Sequence, residues 1–302
     1  MAKDFVNILD FTSEALRAML ERAVERKAAF EAGQLEPCLQ RRTLAMVFEK
    51  PSLRTRVSFE AAMTHLGGHA IYLAPADIGL GQREPVRDVA RVLGRMCDGI
   101  VARTFAHETV EELARHAPVP VINALSDRAH PCQAMADMMT IRQRLGDPAG
   151  RTLAFVGDGN NVARSLAALS ARLSVRFVLA CPAGYELDAE FLAGLPPEAN
   201  VAVCHDPRAA VAEADVIYTD TWVSMGQEDE KARRRREFAA FQINAKLLAA
   251  GRDDAVVMHC LPAYRGCEIT DEAFEAHAET VFEQAGNRLH FQRALLEMLL
   301  RS

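Results

Sequence analysis

Ser52-Leu53-Arg54-Thr55-Arg56 gathers two hydroxyls and two guanidinium groups within five residues, just after the apolar run 43–49. Leu53, Val57 and Ala61 follow at helical spacing until Gly67-Gly68. On the first turn of a helix, residues 52–55 meet unpaired backbone N–H groups and the positive end of the helix dipole, and Arg54 and Arg56 add forked donors. That is chemistry for an oxyanion. A capped surface helix with solvated arginines would use the same residues, so the stretch needs company. Arg103 closes another strand-like run, and His130-Pro131-Cys132-Gln133 offers an imidazole and an amide within one helical turn. Ligands of open α/β sheets bind beyond the carboxyl ends of strands, and all three segments follow such ends. Their convergence suits a small phosphorylated substrate.

A second group of residues lies further along. Gly157-Asp158-Gly159-Asn160-Asn161 follows a strand and opens a helix, the setting of a dinucleotide turn. Val162 replaces the third glycine, and the next strand ends in Cys181-Pro182 where an acidic residue should meet a ribose. A nicotinamide cofactor is disfavoured, and Asn161 is left as an amide able to read a carboxylate. The loop 220–226 holds Asp220, suited to an ammonium, together with Trp222, Ser224 and Met225; a turn cap and simple packing explain Asp220 and Trp222 equally well. Cys260, in His259-Cys260-Leu261-Pro262-Ala263, follows the last strand-like run, where most cysteines are small core residues. The charge run 227–236 reads as a solvated loop and helix face.

The elements that must position these groups come in two sets. Apolar runs at 43–49, 69–73, 99–103 and 119–122, then at 153–157, 177–180, 201–203, 216–219 and 256–259, alternate with helical patterns, the mark of βαβ units and parallel sheets. A helical pattern over 131–145 ends in the breaker Gly146-Asp147-Pro148, which puts a domain boundary near residue 147. The apolar helical stretch 288–300 must dock on something. Half of the 302 residues are hydrophobic, enough for two cores. Lys and Arg number 35 against 41 Asp and Glu, and the net charge of −6 argues against coating nucleic acid or an anionic membrane. Seven scattered cysteines without C-x-x-C spacing suggest reduced thiols in a cytoplasm, and the adjacent pairs Cys204-His205 and His259-Cys260 lack the turn-spaced ligands of a zinc site. No signal-peptide region and no apolar run of membrane-spanning length is expected.

Taken in order, 48–56, 130–133, 220–226 and 259–263 resemble the aspartate/ornithine carbamoyltransferase family nearly end to end. With the strand pattern, the resemblance implies an α/β fold of two doubly wound parallel-sheet domains joined by crossing helices, 1–147 and 148–285, with a C-terminal helix at 286–302 returning to the first. It implies carbamoyl phosphate contacts from Ser52, Leu53, Arg54, Thr55, Arg103, His130, Pro131, Cys132, Gln133, Cys260, Leu261 and Arg288. It implies ornithine contacts from Asn161, Asp220, Ser224 and Met225, with Arg54, Arg103, His130, Asp220 and Cys260 as the catalytic groups. The implied reaction carries the carbamoyl group of carbamoyl phosphate to the side-chain amine of L-ornithine, giving L-citrulline and phosphate in arginine metabolism, with biosynthesis the expected direction although no motif marks it. The implied enzyme needs no metal or organic cofactor and is a cytoplasmic homotrimer with sites shared between subunits.

Two departures stand out. Leu53 replaces a threonine that the family usually carries, removing a side-chain donor and leaving the N–H. Gly79 stands where glutamine or histidine is common, with Gln82 or Arg83 as substitutes. The residues themselves leave an acylated ornithine or a diamine open as acceptor, and beyond those a nucleotide-dependent oxidoreductase or a non-catalytic anion binder. Aspartate is disfavoured by Asp220 and by the absence of arginine in 261–263. Either Asp220 or Cys260 can take the amine proton.

Overall fold

The computed structural model describes residues 3–34, 36–81, 83–223 and 228–301. Contacts divide the chain into two compact units, Met1–Met139 with Gly286–Ser302, and Thr140–Ala285. The first unit holds β1 (Thr43–Phe48), β2 (His69–Leu73), β3 (Gly99–Arg103) and β4 (Val121–Leu125), all parallel in the order β2-β1-β3-β4. β1 and β3 are the inner strands, buried from residue 44 onward and throughout, respectively, which is why they read as unbroken apolar runs. From β1 the chain steps outward to β2 and then crosses back to β3, so the carboxyl ends of β1 and β3 form a topological switch point. Phe48 pairs with Arg103 there, and Glu49 ties the two ends by its N–H to the Arg103 carbonyl (2.8 Å) and its carboxylate to the Phe105 N–H (2.7 Å).

The second unit holds β5 (Thr152–Val156), β6 (Arg176–Ala180), β7 (Val201–Cys204), β8 (Val216–Thr219) and β9 (Val256–His259), parallel in the order β7-β6-β5-β8-β9. Its switch point lies between β5 and β8, where the Thr219 hydroxyl donates to the Val156 carbonyl at 2.7 Å. Eight strands lie within a residue of the apolar runs that predict them. β4 begins two residues late, because Pro120 has no N–H to give the ladder.

Two long helices carry the chain from one unit to the other. Pro131–Leu145 is buried through residue 141, and its Cys132, Met135, Met138 and Met139 belong to the first core. The contacts change over inside this helix, after Met139, and Gly146, at a left-handed φ of 81°, ends it. Ala278–Leu300 rejoins the first unit from Gly286 onward. There Phe291 meets Phe5 at 5.8 Å between ring centroids, Glu297 receives Arg22 and Arg26, and Leu300 packs at Gly99.

The glycine-rich turn after β5 has a structural reason for one of its glycines. Gly159 donates to the Tyr185 carbonyl at 2.9 Å, and a Cβ on it would stand 2.7 Å from the carbonyl carbon and oxygen of Glu186. The close approach is to this chain's own backbone. Gly159→Ala should destabilise the second unit by roughly 1–3 kcal/mol, as overpacking against backbone does. Urea unfolding reads it as a lowered midpoint with unchanged slope; a midpoint equal to the parent's would mean that the 185–186 segment yields freely.

Candidate active site

Ser52 caps the helix Leu53–His65 from an extended conformation, its Oγ accepting the Thr55 N–H and donating to Thr55 Oγ1 at 3.0 Å. Thr55 is fully buried, and its Oγ1 also accepts Arg288 Nη2 at 2.8 Å. The C-terminal helix thus delivers a guanidinium to the first turn of the β1 helix. Arg103, last residue of β3, is buried, and its Nε has no hydrogen-bonding partner among the described residues. Burial, then Arg288 and Arg54, push Arg103 down to about 10. His130 is buried in the same cluster, and burial with Arg288, Arg103, Lys50 and Arg54 around it holds its pKa well below the usual imidazole range. The imidazole is therefore neutral, a hydrogen-bonding group and not a cation.

Lys50 is a member that sequence reasoning missed. It is buried, its ammonium lies 4.8 Å from the centroid of the Phe105 ring, and burial followed by Arg103 lowers its pKa. Its place one residue before Pro51-Ser52 was legible; its burial was not. Other expected residues have contacts or exposure of their own. The Leu53 side chain is exposed, leaving only its backbone for an anion. Arg56 pairs with Glu60 at 2.9 Å and lies 4.0 Å over Tyr72, an i,i+4 contact that turns it along the helix and away from the expected phosphoryl role. Cys132 donates its thiol to the Asn123 carbonyl inside the core, and burial pushes it up to about 12. Pro131 starts the helix, and Gln133 gives its amide Nε2 to Asp137 at 2.8 Å.

In the second unit Asp220 follows β8 and is held from three sides. Asn160 Nδ2 donates to Oδ2 at 2.8 Å, while the Thr221 N–H (2.7 Å) and the Cys260 thiol (2.9 Å) donate to Oδ1. Asn160 also caps the helix Asn161–Leu173, accepting from Val162 and Ala163, so one side chain ties the switch-point helix to the carboxylate. Asn161 opens that helix, half-buried. Asn160 was missed because a capping asparagine looks alike wherever its amide points. Asp220, His259 and Cys260 bring one possible metal ligand each within 4.8 Å. Both imidazole nitrogens of His259 are already bonded, to Glu268 and to the Leu261 N–H, which leaves two ligands and a hydrogen-bonded set.

Among the described residues of the run 227–236, Asp229, Lys231, Ala232, Arg233, Arg235 and Arg236 are exposed, as a solvated face requires, and Arg234 is the exception. Arg234 is buried, pairs with Asp158 at 2.6 Å and Glu230 at 2.7 Å, and donates to the Trp222 carbonyl at 3.2 Å. Asp158, raised by burial and opposed by Arg234, is thereby occupied within the chain. Trp222 is buried against Phe238, with ring centroids 5.8 Å apart. Ser224 and Met225 lie outside the described residues, as does Gln82. Gly79 takes a left-handed φ of 55° and accepts the Arg83 N–H at 2.8 Å, a turn that a larger side chain would strain.

Comparison with known proteins also finds two domains, with the C-terminal helix counted in the second. Residues 3–143 match the model of the aspartate/ornithine carbamoyltransferase carbamoyl-P binding domain, and residues 149–299 match that of the Asp/Orn binding domain. The chain belongs to the aspartate/ornithine carbamoyltransferase family. It is 48% identical over 302 residues to an ornithine carbamoyltransferase of Methanosarcina acetivorans, covering 100% of both chains. An anabolic ornithine carbamoyltransferase of Pseudomonas aeruginosa is 48% identical over 298 residues, covering 99% of this chain and 97% of the other. The structure of an ornithine carbamoyltransferase from Pyrococcus furiosus superposes with a TM-score of 0.95 at 46% identity, covering 98% of this chain and 96% of that one. Within the family, the carboxylate clasp around Asp220 belongs to the Asp/Orn binding domain.

Asn160→Asp tests the clasp. Aspartate caps a helix as well as asparagine, so the melting temperature should change little. Two carboxylates facing each other should weaken binding of the amino-acid substrate by ~10-fold or more, one pKa unit's worth of repulsion. Unchanged affinity by calorimetry would remove Asn160 from the site.

Proposed function

We propose that this chain transfers the carbamoyl group of carbamoyl phosphate to the side-chain amine of L-ornithine, giving L-citrulline and phosphate. The observation that carries the choice of acceptor is the buried Asp220 carboxylate, held by Asn160, Thr221 and Cys260. A carboxylate at that place favours an acceptor bearing an ammonium and opposes aspartate, whose second carboxylate would meet like charge. The 48% identity along the full length of the Methanosarcina acetivorans enzyme supports the same acceptor.

We assign Arg54, Arg103 and Arg288 to the phosphoryl oxygens, with the N–H groups of residues 52–55 on the helix's first turn and Gln133 beside His130. The neutral His130 imidazole and the Thr55 hydroxyl suit the carbonyl oxygen, which gains charge as the amine attacks and the carbon becomes tetrahedral. Phosphate then leaves, its charge met by the same arginines. Asn161 suits the amino acid's carboxylate. Because the Cys260 proton is directed at Asp220, Asp220 is the acceptor of the pair, and we assign it the amine's proton. We place Leu261 beside Cys260 at the reacting amine, and Ser224 and Met225 on the amino acid.

We further propose a homotrimer working in the cytoplasm in arginine biosynthesis. Leu53 and Val57, one turn apart, expose apolar side chains suited to self-association. The free cysteines suit a reducing compartment, and the Pseudomonas aeruginosa relative named anabolic supports the direction.

Formation of citrulline from ornithine and carbamoyl phosphate tests the whole reading. Arg54→Ala should lower turnover by more than ~100-fold, by analogy with loss of one oxyanion donor. Arg54→Lys should recover little, since the forked donor is gone. Carbamoylation of aspartate in preference to ornithine, or rates within a few-fold of the parent, would contradict it.

A further inference from the structure

The turn that carries Cys260 is pinned by a buried polar chain with no part in the reaction above. Leu261 sits at a left-handed φ of 61°, and its N–H donates to His259 Nδ1 at 2.9 Å. An acceptor at Nδ1 requires that nitrogen to be unprotonated, so the ring proton is on Nε2. Nε2 faces Glu268 Oε1 at 3.1 Å, and the same oxygen accepts the N–H of Tyr264. The turn is therefore fastened at both ends, Leu261 to His259 and Tyr264 to Glu268. From behind, Gln284 accepts the His259 N–H at 3.0 Å and donates to the Tyr218 hydroxyl at 3.1 Å. Tyr218, His259, Glu268 and Gln284 are all fully buried.

We infer that His259 and Glu268 are positioning residues for the amine-binding side of the site: Glu268 fixes the imidazole tautomer, and the imidazole fixes the Leu261 N–H and with it the Cys260 thiol. The reason is geometric. A left-handed leucine is strained, and it holds only while its surroundings over-determine it. Loss of either link lets Leu261 relax and carries Cys260 from Asp220, 2.9 Å away. Buried polar groups of this kind tolerate substitution only where the replacement makes the same hydrogen bonds. Glutamine at 268 keeps an oxygen for both N–H groups, and asparagine at 259 keeps an acceptor near Nδ1. Methionine and leucine, respectively, keep volume and lose the bonds.

The inference rests on the proposed function for its kinetic readout, so the test adds one that does not. Glu268→Met and His259→Leu should raise the KM for ornithine by ~10–100-fold, the scale of a misplaced contact, with carbamoyl phosphate affinity within about 2-fold of the parent. Glu268→Gln and His259→Asn should stay near the parent in both. Peptide-mapped labelling with a neutral thiol reagent should find Cys260 reacting ~10-fold faster in the first pair only, as local opening becomes easier. Loss in Glu268→Gln as large as in Glu268→Met overturns the inference, since charge and not geometry would then matter. Unchanged Cys260 labelling in a folded Glu268→Met protein, or equal losses for both substrates, also overturns it. Should Glu268→Met fail to fold, Glu268→Gln and His259→Asn still decide. A parent that forms no citrulline while labelling follows the pattern leaves the positioning intact and removes the functional reading.

Discussion

The first unit crowds Lys50, Arg54, Arg103 and Arg288 around His130 at the carboxyl ends of its inner strands. Arg103 is charged at neutral pH whether the chain is folded or not, yet folding lowers its pKa to about 10. The fold therefore disfavours the charged form by about 3 kcal/mol at neutral pH, and the penalty eases only as pH rises through 10. Among the described residues no carboxylate pairs with Arg103. In a chain of net charge −6, such a grouping requires a local anion to offset it. A ligand at 100 times its Kd contributes about 2.7 kcal/mol, the same order as the penalty. The switch point between β1 and β3, the Ser52 cap and the return of the C-terminal helix all serve to hold those cations in place.

The second unit solves the opposite problem with the same topology. Its switch point presents a carboxylate, and the burial of Asp220 is made tolerable by three donors. Each donor comes from a different strand end: Asn160 after β5, Thr221 after β8, Cys260 after β9. Adjacent parallel strands bring residues far apart in sequence to one edge, which is how an open α/β sheet assembles a site. Arg234 fastens the same edge from outside by joining Asp158 to the Trp222 carbonyl.

The strands and their grouping into two sheets were legible because buried parallel strands are uninterrupted apolar runs bounded by breakers. Ser52, Arg103, His130 and Asp220 were legible because each ends such a run or lies in the segment that follows it. What escaped was direction. Arg54 and Arg56 are alike in sequence, yet an acid one turn on draws Arg56 aside. Asn160 and Asn161 are alike too, and only the helix start decides which one caps it and reaches Asp220. Arg234 looked solvated because charge alone argues for water, and its burial, like that of Lys50, depends on partners that tertiary packing supplies. The dinucleotide-like turn resolves in the same way, since Gly159 is glycine to let the 185–186 backbone approach.

The most direct test of the cation cluster compares thermal unfolding of the parent and Arg103→Met, each with and without carbamoyl phosphate. The account predicts that the variant, relieved of a buried unpaired charge, is at least as stable as the parent without ligand and gains almost nothing with it, whereas the parent's melting temperature rises. A variant that is much less stable without ligand, yet rises with carbamoyl phosphate as far as the parent does, would contradict it.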